Sequence, residues 1–176
     1  MKKNLLSKNI YTVDDFWTRD QCDAFIKHSE EIGYSPATIQ TENGPRLLDF
    51  VRNNNRVMFK DVALADALWH AMKSFAPEAI GNSIPKGVNE LFRFYRYEPG
   101  QMFKKHRDNS FIRNEREGSY YTFMIYLNDD FEGGETTFDK IVVKPRAGSA
   151  LFFYHYLEHE GTEVTKGTKY VHRTDI

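Results

Sequence analysis

The stretch Thr122-Phe-Met-Ile-Tyr-Leu-Asn128 decides the fold, because its aromatic and β-branched residues predict a strand. Two aspartates and the pair Gly133-Gly134 follow it and predict a turn. Further strands are predicted around this one by period-two alternation or by aromatic and β-branched content, at Leu91–Tyr97, Ile141–Lys144, Ala150–Tyr156 and Tyr170–Ile176. Several short strands separated by turns, with no helices between them, indicate an antiparallel barrel or sandwich.

The first 90 residues have a different pattern. Thr18 is a plausible N-cap for a helix that places Cys22, Phe25 and Ile26 on one face, and a second helix is predicted from about Val62 to Phe75. Other segments of this half read as a short strand from 10 to 16 and a polar loop or hairpin from 40 to 56. We therefore expect a mainly β (α+β) fold in one domain, 1–176, with helical and loop support and a lid in 1–90 and the β core in 91–176.

Composition limits the classes of partner. A formal net charge of −1 over 176 residues gives no global field to attract nucleic acid or an anionic membrane. No run approaches the roughly 20 apolar residues of a membrane helix, and the N-terminus does not resemble a secretory signal. Cys22 is the single cysteine, which excludes an internal disulfide and suits a reducing compartment. We expect a cytoplasmic protein that binds neither nucleic acid nor membranes.

The chemistry is suggested by His106-Arg107-Asp108. Two histidines and one carboxylate bind Fe(II) on one face of an octahedron and leave three positions open for a reaction. On an extended segment, residues two apart project from the same side, so His106 and Asp108 can reach one metal. An H-x-D pair alone is a weak signal, and His159, just past the strand from 150 to 156, is the candidate third ligand.

The surrounding residues make the signal specific. Seven separated elements occur in order: Tyr97-Glu-Pro-Gly100, Phe103 with His106-x-Asp108, Thr122-x3-Tyr126-Leu-Asn128, Gly133-Gly-Glu-Thr136-x-Phe138, Pro145-x2-Gly148-x-Ala150-x2-Phe153, His159-x-Gly161 and Gly167-x-Lys169-Tyr170. Together they resemble the prolyl 4-hydroxylase-like branch of the 2-oxoglutarate/Fe(II) dioxygenases. The resemblance covers roughly 91–176, and the N-terminal helices more loosely.

This resemblance implies a double-stranded β-helix, or jelly-roll, in which His106, Asp108 and His159 hold iron. It implies that Lys169 pairs with the distal carboxylate of 2-oxoglutarate, that Tyr126 hydrogen-bonds the same carboxylate, and that Tyr97 lines the pocket. The implied cofactors are Fe(II), 2-oxoglutarate and O2, with ascorbate supporting activity. Phe103 stands where some relatives carry tyrosine.

The lysine assignment is physically coherent. A buried carboxylate needs a cation and hydrogen-bond donors, because its desolvation is otherwise prohibitive. Lys166 is the rival to Lys169, but it precedes Gly167 and resembles an exposed turn residue. Arg173 shares the strand parity of Lys169 and can also face inward, which leaves it unassigned. His172 lies in the final predicted strand, where we expect it to have a structural role. The alternative is that it contacts a metal ligand.

Two further patterns have competing interpretations. His155-x2-Glu158-His159 matches an inverted zinc-protease motif, which works only on a helix, whereas the residues before it resemble a strand. The polar cluster from Arg52 to Arg56 is either a solvated loop or a lid that contributes Arg52, Asn54 or Arg56 to the substrate entrance.

The sequence therefore predicts an enzyme that hydroxylates an organic substrate, a prolyl residue in a protein or peptide or else a small molecule, with release of succinate and CO2. Asp108 favours hydroxylation, because the halogenating relatives carry a small residue at that position. Two alternatives remain open: an oxidative demethylase of nucleic-acid bases, and a non-catalytic metal-binding jelly-roll module.

Overall fold

The computed structural model describes residues 1–176, apart from the side chain of Gln40. The described residues form two helices, α1 (Arg19–Ile32) and α2 (Val62–Met72). The strands of the first 100 residues are β1 (Lys2–Ser7), β2 (Ile10–Asp14), β3 (Ser35–Pro36), β4 (Ile39–Thr41), β5 (Gly44–Arg46), β6 (Asn55–Lys60) and β7 (Leu91–Tyr97). The later strands are β8 (Phe103–His106), β9 (Ile112–Asn114), β10 (Glu117–Gly118), β11 (Tyr121–Tyr126), β12 (Glu132–Gly133), β13 (Thr136–Phe138), β14 (Ile141–Val143), β15 (Ala150–Tyr154), β16 (His159–Gly161), β17 (Val164–Lys166) and β18 (Lys169–Asp175).

Two antiparallel sheets face each other. The main sheet has eight strands in the order β1-β2-β15-β11-β18-β7-β6-β3, and the smaller sheet has the order β14-β13-β16-β8. The strands β12 and β17 pair separately beside them. This is the predicted jelly-roll, and the predicted strands of the β core are confirmed within a few residues at each end.

The main sheet separates two cores. One lies between the sheet and the helices and contains mostly aromatic side chains, among them Phe92, Phe94, Phe123 and Phe152. The other lies inside the barrel, between the two sheets, and includes several tyrosines. Because side chains alternate along a strand, each central strand contributes to both cores.

Both helices begin at the residues that their caps predict. Thr18 accepts a hydrogen bond from the backbone N–H of Gln21, whose side chain in turn accepts from the backbone N–H of Thr18. Asp61 caps α2 through the backbone N–H of Leu64. These caps anchor the two helices that cover the outer face of the sheet. Neither helix has the length and apolar character needed to span a membrane, across all the residues described.

The first 90 residues contain more strand than their sequence predicts. Strands β1 and β2 form one edge of the main sheet, and β6 and β3 form the other. The polar segment from 40 to 56 includes the β4–β5 hairpin, as one of its two interpretations predicted, and also the start of β6. The N-terminal half therefore completes the sheet as well as covering it.

Candidate active site

The three predicted metal ligands converge inside the barrel. His106 ends β8 and pairs in register with His159 at the start of β16, while Asp108 follows in the loop. One ligand atom from each side chain lies within 4.8 Å of the others. The two carboxylate oxygens of Asp108 lie 3.7 Å from Nε2 of His106 and 3.7 Å from Nε2 of His159.

Hydrogen bonds on the far side of each ring orient both histidines. Nδ1 of His106 lies 2.7 Å from the carbonyl oxygen of Lys104, and Nδ1 of His159 lies 3.0 Å from that of Leu157. A carbonyl oxygen can only accept, so each Nδ1 carries the proton and each Nε2 keeps a lone pair. Burial lowers the pKa of His106 to about 3, assisted by the neighbouring His159, whose own pKa burial also lowers. Both imidazoles are neutral at neutral pH, and the donor set fits Fe(II).

Asp108 is fixed by two neighbours. Its Oδ2 accepts a hydrogen bond of 2.5 Å from the hydroxyl of Thr122 and lies 3.1 Å from Nη2 of Arg173. Burial alone would raise the pKa of Asp108, but Arg173 and the two histidines outweigh it and lower the pKa. The carboxylate is therefore ionised and oriented. The parity of β18 was the signal for Arg173, whereas Thr122 belongs to a quoted motif but had no predicted role.

Lys169 lies deeper in the barrel, 3% exposed. Its ammonium donates to the carbonyl oxygen of Gly134 at 2.6 Å and lies 5.0 Å from the ring centre of Tyr97 and 5.7 Å from that of Tyr126. Burial lowers the pKa of Lys169 to about 7. A carboxylate beside it would restore the charged form, and the far carboxylate of 2-oxoglutarate fits this position.

The tyrosines predicted around Lys169 are also buried. The hydroxyl of Tyr126 donates to Oγ1 of Thr136 at 2.7 Å, and burial raises the pKa of both Tyr126 and Tyr97, the latter to about 12. Both phenols therefore stay protonated, and Tyr126 can donate to an anion once its hydroxyl turns and accepts from Thr136 instead. Thr136 belongs to a quoted motif, but the sequence predicts no role for it. The fold places its hydroxyl next to that of Tyr126, where the two form a hydrogen bond.

The predicted entrance residues divide into two groups. Arg52 and Asn54 are 4% and 0% exposed, and Nε of Arg52 donates to Oδ1 of Asn54 at 2.7 Å, so the solvated-loop interpretation is wrong for these two. Arg56 lies further along β6, opposite Tyr95 in register, and its Nη2 donates to Oγ1 of Thr38. Whether any of them binds substrate stays a prediction.

The structure also resolves the competing assignments. Lys166 is exposed and pairs with Glu132 at 3.0 Å, so it does not enter the barrel. The segment from His155 to His159 contains a turn and the start of β16 rather than a helix, which removes the geometry that the zinc-protease motif needs. His172 packs among aromatic rings on the outer face of the sheet, and its structural role is confirmed.

A second, larger cavity of about 500 Å³ lies beside the barrel mouth, between the loop 77–89 and the β9–β10 hairpin. Its wall includes Asp175, which contacts Arg173 at 3.0 Å, and Arg173 lines the space at the metal ligands. This cavity is larger than the space at the metal ligands. The residues suited to catalysis nevertheless line the smaller space, inside the barrel. We therefore treat the larger cavity as an approach to the site.

Comparison with known proteins agrees with this geometry. Residues 92–174 match the family model of the 2OG-Fe(II) oxygenase superfamily. The chain is similar to this superfamily over that span, which contains the three predicted metal ligands and Lys169. It is 25% identical over 191 residues to Prolyl 4-hydroxylase 1 of Arabidopsis thaliana, covering 93% of this chain and 67% of that protein. It spans 41 to 67% of the length of the first three curated relatives it matches.

Two solved structures share the fold of this oxygenase. A viral collagen prolyl hydroxylase from Paramecium Bursaria Chlorella virus-1, in complex with 2OG, has a TM-score of 0.71 and 24% identity over 95% of this chain and 94% of that one. A prolyl hydroxylase from Trichoplax adhaerens, in complex with a hypoxia inducible factor peptide fragment, has a TM-score of 0.71 and 15% identity over 96% and 83%. The jelly-roll and the similarity to prolyl 4-hydroxylase-like oxygenases are confirmed, and the comparisons support the cofactors Fe(II), 2-oxoglutarate and O2; the role of ascorbate stays a prediction.

Proposed function

We propose that this oxygenase hydroxylates a prolyl residue in a peptide or protein, converting 2-oxoglutarate and O2 to succinate and CO2. The observation that carries the proposal is one barrel in which His106, Asp108 and His159 converge while Lys169 lies buried below them. Among the described residues the ammonium of Lys169 has a hydrogen bond to a backbone carbonyl and no ion pair. A module that only binds metal does not need such a buried cation. An enzyme with a dicarboxylic co-substrate needs it to pair with the carboxylate that lies away from the metal.

Each side chain has a definite task in this scheme. The metal, held by His106, Asp108 and His159, supplies the activation of O2 that is coupled to decarboxylation of 2-oxoglutarate. Lys169 and the hydroxyl of Tyr126 would bind the far carboxylate and so fix how the co-substrate lies in the barrel.

Arg173 and Thr122 keep the carboxylate ligand ionised and in one orientation. Phe103 stacks on His106 with ring centres 3.4 Å apart, and Phe153 lies 4.5 Å from His159. These rings exclude water from the reacting centre.

A peptide substrate is favoured over a free small molecule by two observations. The cavity beside the mouth offers about 500 Å³ for residues that flank the reacting one. In addition, the related fold from Trichoplax adhaerens was solved with a peptide fragment. We further propose that the single catalytic domain acts in the cytoplasm, where Cys22, a buried free thiol, stays reduced.

The test measures succinate release from 2-oxoglutarate with Fe(II) and ascorbate, with and without prolyl peptides. We expect slow release without peptide, faster release with a peptide substrate, and one added oxygen atom on that peptide by mass spectrometry. His106→Ala should abolish both rates. Lys169→Met should abolish them at low 2-oxoglutarate, whereas the matched variant Lys166→Met, which removes an exposed ammonium, should leave them unchanged.

The alternatives give different results in the same assay. Absence of succinate release under every condition would favour the binding module. If a methylated nucleic-acid base accelerated succinate release and no prolyl peptide did, the result would favour the demethylase. Either result would contradict the proposal.

A further inference from the structure

The guanidinium of Arg52 has no counter-charge. The side chain is 4% exposed, and its Nη2 is enclosed without a hydrogen-bond partner among the described residues. Its Nε donates a hydrogen bond to Oδ1 of Asn54 at 2.7 Å, and that partner is a neutral amide. A buried charge without a partner is costly, and in proteins such groups usually meet an opposite charge or a metal.

Two aromatic rings hold this group in place. Its central carbon lies 4.6 Å from the ring centre of Tyr95 and 4.3 Å from that of Phe103. Phe103 stacks on His106, so a single ring separates the guanidinium from a metal ligand. Tyr95 and Phe103 line the same cavity as the three predicted ligands. Arg52 is thus held directly behind two side chains that line the active site.

The charges around Tyr95 leave an excess of positive charge. Arg173 pairs with both Asp108 and Asp175, and Arg93 pairs with Asp175 at 3.0 Å. Both carboxylates therefore already have an arginine partner. Burial would raise the pKa of Tyr95, but Arg173, Arg52 and Arg93 lower it to about 8. Fe(II) and the 2-oxoglutarate dianion cancel each other in charge, so loading the site leaves Arg52 unpaired.

We propose that Arg52 binds a carboxylate of the substrate, so that the residue that is hydroxylated carries a free carboxylate or lies beside one. Guanidinium groups bind carboxylates through two parallel hydrogen bonds, and Arg52 has nitrogen atoms free for this contact. The far carboxylate of 2-oxoglutarate belongs to Lys169, and its near carboxylate chelates the metal, which leaves the substrate as the source. This inference rests on the proposed function.

The first experiment needs no substrate. In metal-free Lys169→Met protein, Arg52 is the remaining cation among the described residues that is more than nine-tenths buried and has no ion pair, so acetate should raise the melting temperature in a concentration-dependent way. The double variant Lys169→Met/Arg52→Met should lose this shift, with chloride at equal ionic strength as the reference. An equal shift in both proteins, or none in either, would overturn the proposal.

The second experiment separates the possible sources of the carboxylate. Two pairs of prolyl peptides are compared: one pair ends at the proline as carboxylate or carboxamide, and the other has Asp or Asn beside an internal proline. We expect kcat/KM for one charged member to exceed that of its neutral twin by about 10- to 100-fold, the range of a hydrogen bond to a charged group. Arg52→Met should remove the preference.

The affinity for 2-oxoglutarate is measured on the same variant. If Arg52 serves the substrate, Arg52→Met leaves the affinity for 2-oxoglutarate within about twofold of the wild-type value. A tenfold loss of 2-oxoglutarate affinity would instead assign Arg52 to the near carboxylate and overturn the proposal. If succinate release without peptide is absent even in the wild type, the proposed function fails, whereas equal use of charged and neutral peptides defeats this inference alone.

Melting temperatures test independently whether Arg52 lacks an ion-pair partner in the free protein. Arg52→Met removes an unpaired charge and keeps the side-chain length, so the metal-free variant should melt no lower than the wild type. Arg173→Met is the matched control, because it leaves the buried carboxylate of Asp108 without its arginine and Asp175 with Arg93 alone, and it should lower the melting temperature clearly. Equal and large losses in both variants would mean that Arg52 has a structural partner, and would overturn the proposal.

Discussion

The two faces of β18 carry different kinds of side chain. Lys169, Arg173 and Asp175 face the barrel interior; Lys169 and Asp175 are buried, the side chain of Arg173 is 13% exposed, and all three are ionisable. His172 and Thr174 face the helices, and His172 is enclosed by aromatic rings whose centres lie 5.0 to 5.9 Å away. One strand thus carries the proposed chemistry on one side and the packing on the other.

The difference shows where stability and function are located. The outer face is closed by packing in the free protein, because its rings contact one another and the helices, although the two ring nitrogens of His172 have no hydrogen-bond partner among the described residues. The inner face is incomplete, because Arg52 and Lys169 are buried cations without ion pairs among the described residues. Such groups cost stability until a ligand supplies the opposite charge, as is common in binding sites. We therefore expect outer-face substitutions to reduce stability and inner-face substitutions to reduce binding.

The largest effect on stability should come from Phe94→Ala. Phe94 is fully buried on the outer face of β7 and contacts Phe25, Phe59 and His172. Removing a buried phenyl ring costs about 3–5 kcal/mol in free energy of unfolding. Urea denaturation would measure the loss, and Phe50→Ala, at a ring that is 69% exposed, is the control with a change near zero.

Phe94→Ala should leave metal binding by the folded fraction unchanged, because the side chain points away from the barrel. If the variant were instead stable but unable to bind metal, the division of labour between the two faces would be wrong.

The next effect concerns Lys169→Met on the inner face. Removing one partner of a buried charge pair costs about 2–5 kcal/mol of binding, so KM for 2-oxoglutarate should rise by about a hundredfold. Stability of the free protein should not fall, because the ammonium has no ion pair to lose among the described residues. Steady-state kinetics and thermal melting measure the two quantities. A variant that melts far below the wild type, with KM unchanged, would show that Lys169 belongs to the packing.

Much of this division is readable from the sequence. Period-two alternation predicted β7, and aromatic and β-branched content predicted β11, β15 and β18, because these strands are long enough to display it. The parity of β18 also indicated that Arg173 faces inward with Lys169. The two short strands β8 and β16 were not predicted, although each carries a proposed ligand, since three or four residues show no reliable period.

Other functional features depend on contacts between distant segments. Thr122 and Thr136 are ordinary strand residues by type, and only the fold brings their hydroxyls to Asp108 and Tyr126. Similarly, β6 begins in a run of asparagine and arginine that favours a loop, and pairing with β7 overrides that preference. Propensity describes a residue's own conformation, whereas these roles arise from a partner far along the chain.

The smallest predicted effect concerns acid stability, and it tests the outer face itself. Burial lowers the pKa of His172 to about 3, against a reference value of about 6.5 in the unfolded chain. Above pH 6.5 both states are neutral at this residue, and no contribution arises. As the pH falls below 6.5, the unfolded state binds a proton that the folded state refuses, so stability falls by about 1.4 kcal/mol per pH unit.

His172→Phe should remove this contribution, because a phenyl ring suits the aromatic surroundings and does not titrate. The free energy of unfolding of the metal-free variant, compared with wild type by urea denaturation, should therefore improve by about 2 kcal/mol between pH 6.5 and pH 5. The absolute difference at pH 7.5 can have either sign, since the larger ring changes the packing. His70→Gln, at an exposed helical position, should follow the wild-type curve. If the free energies of unfolding of wild type and His172→Phe changed in parallel with pH, the outer face would accommodate a charged imidazole. The contrast between the two faces of β18 would then not be electrostatic.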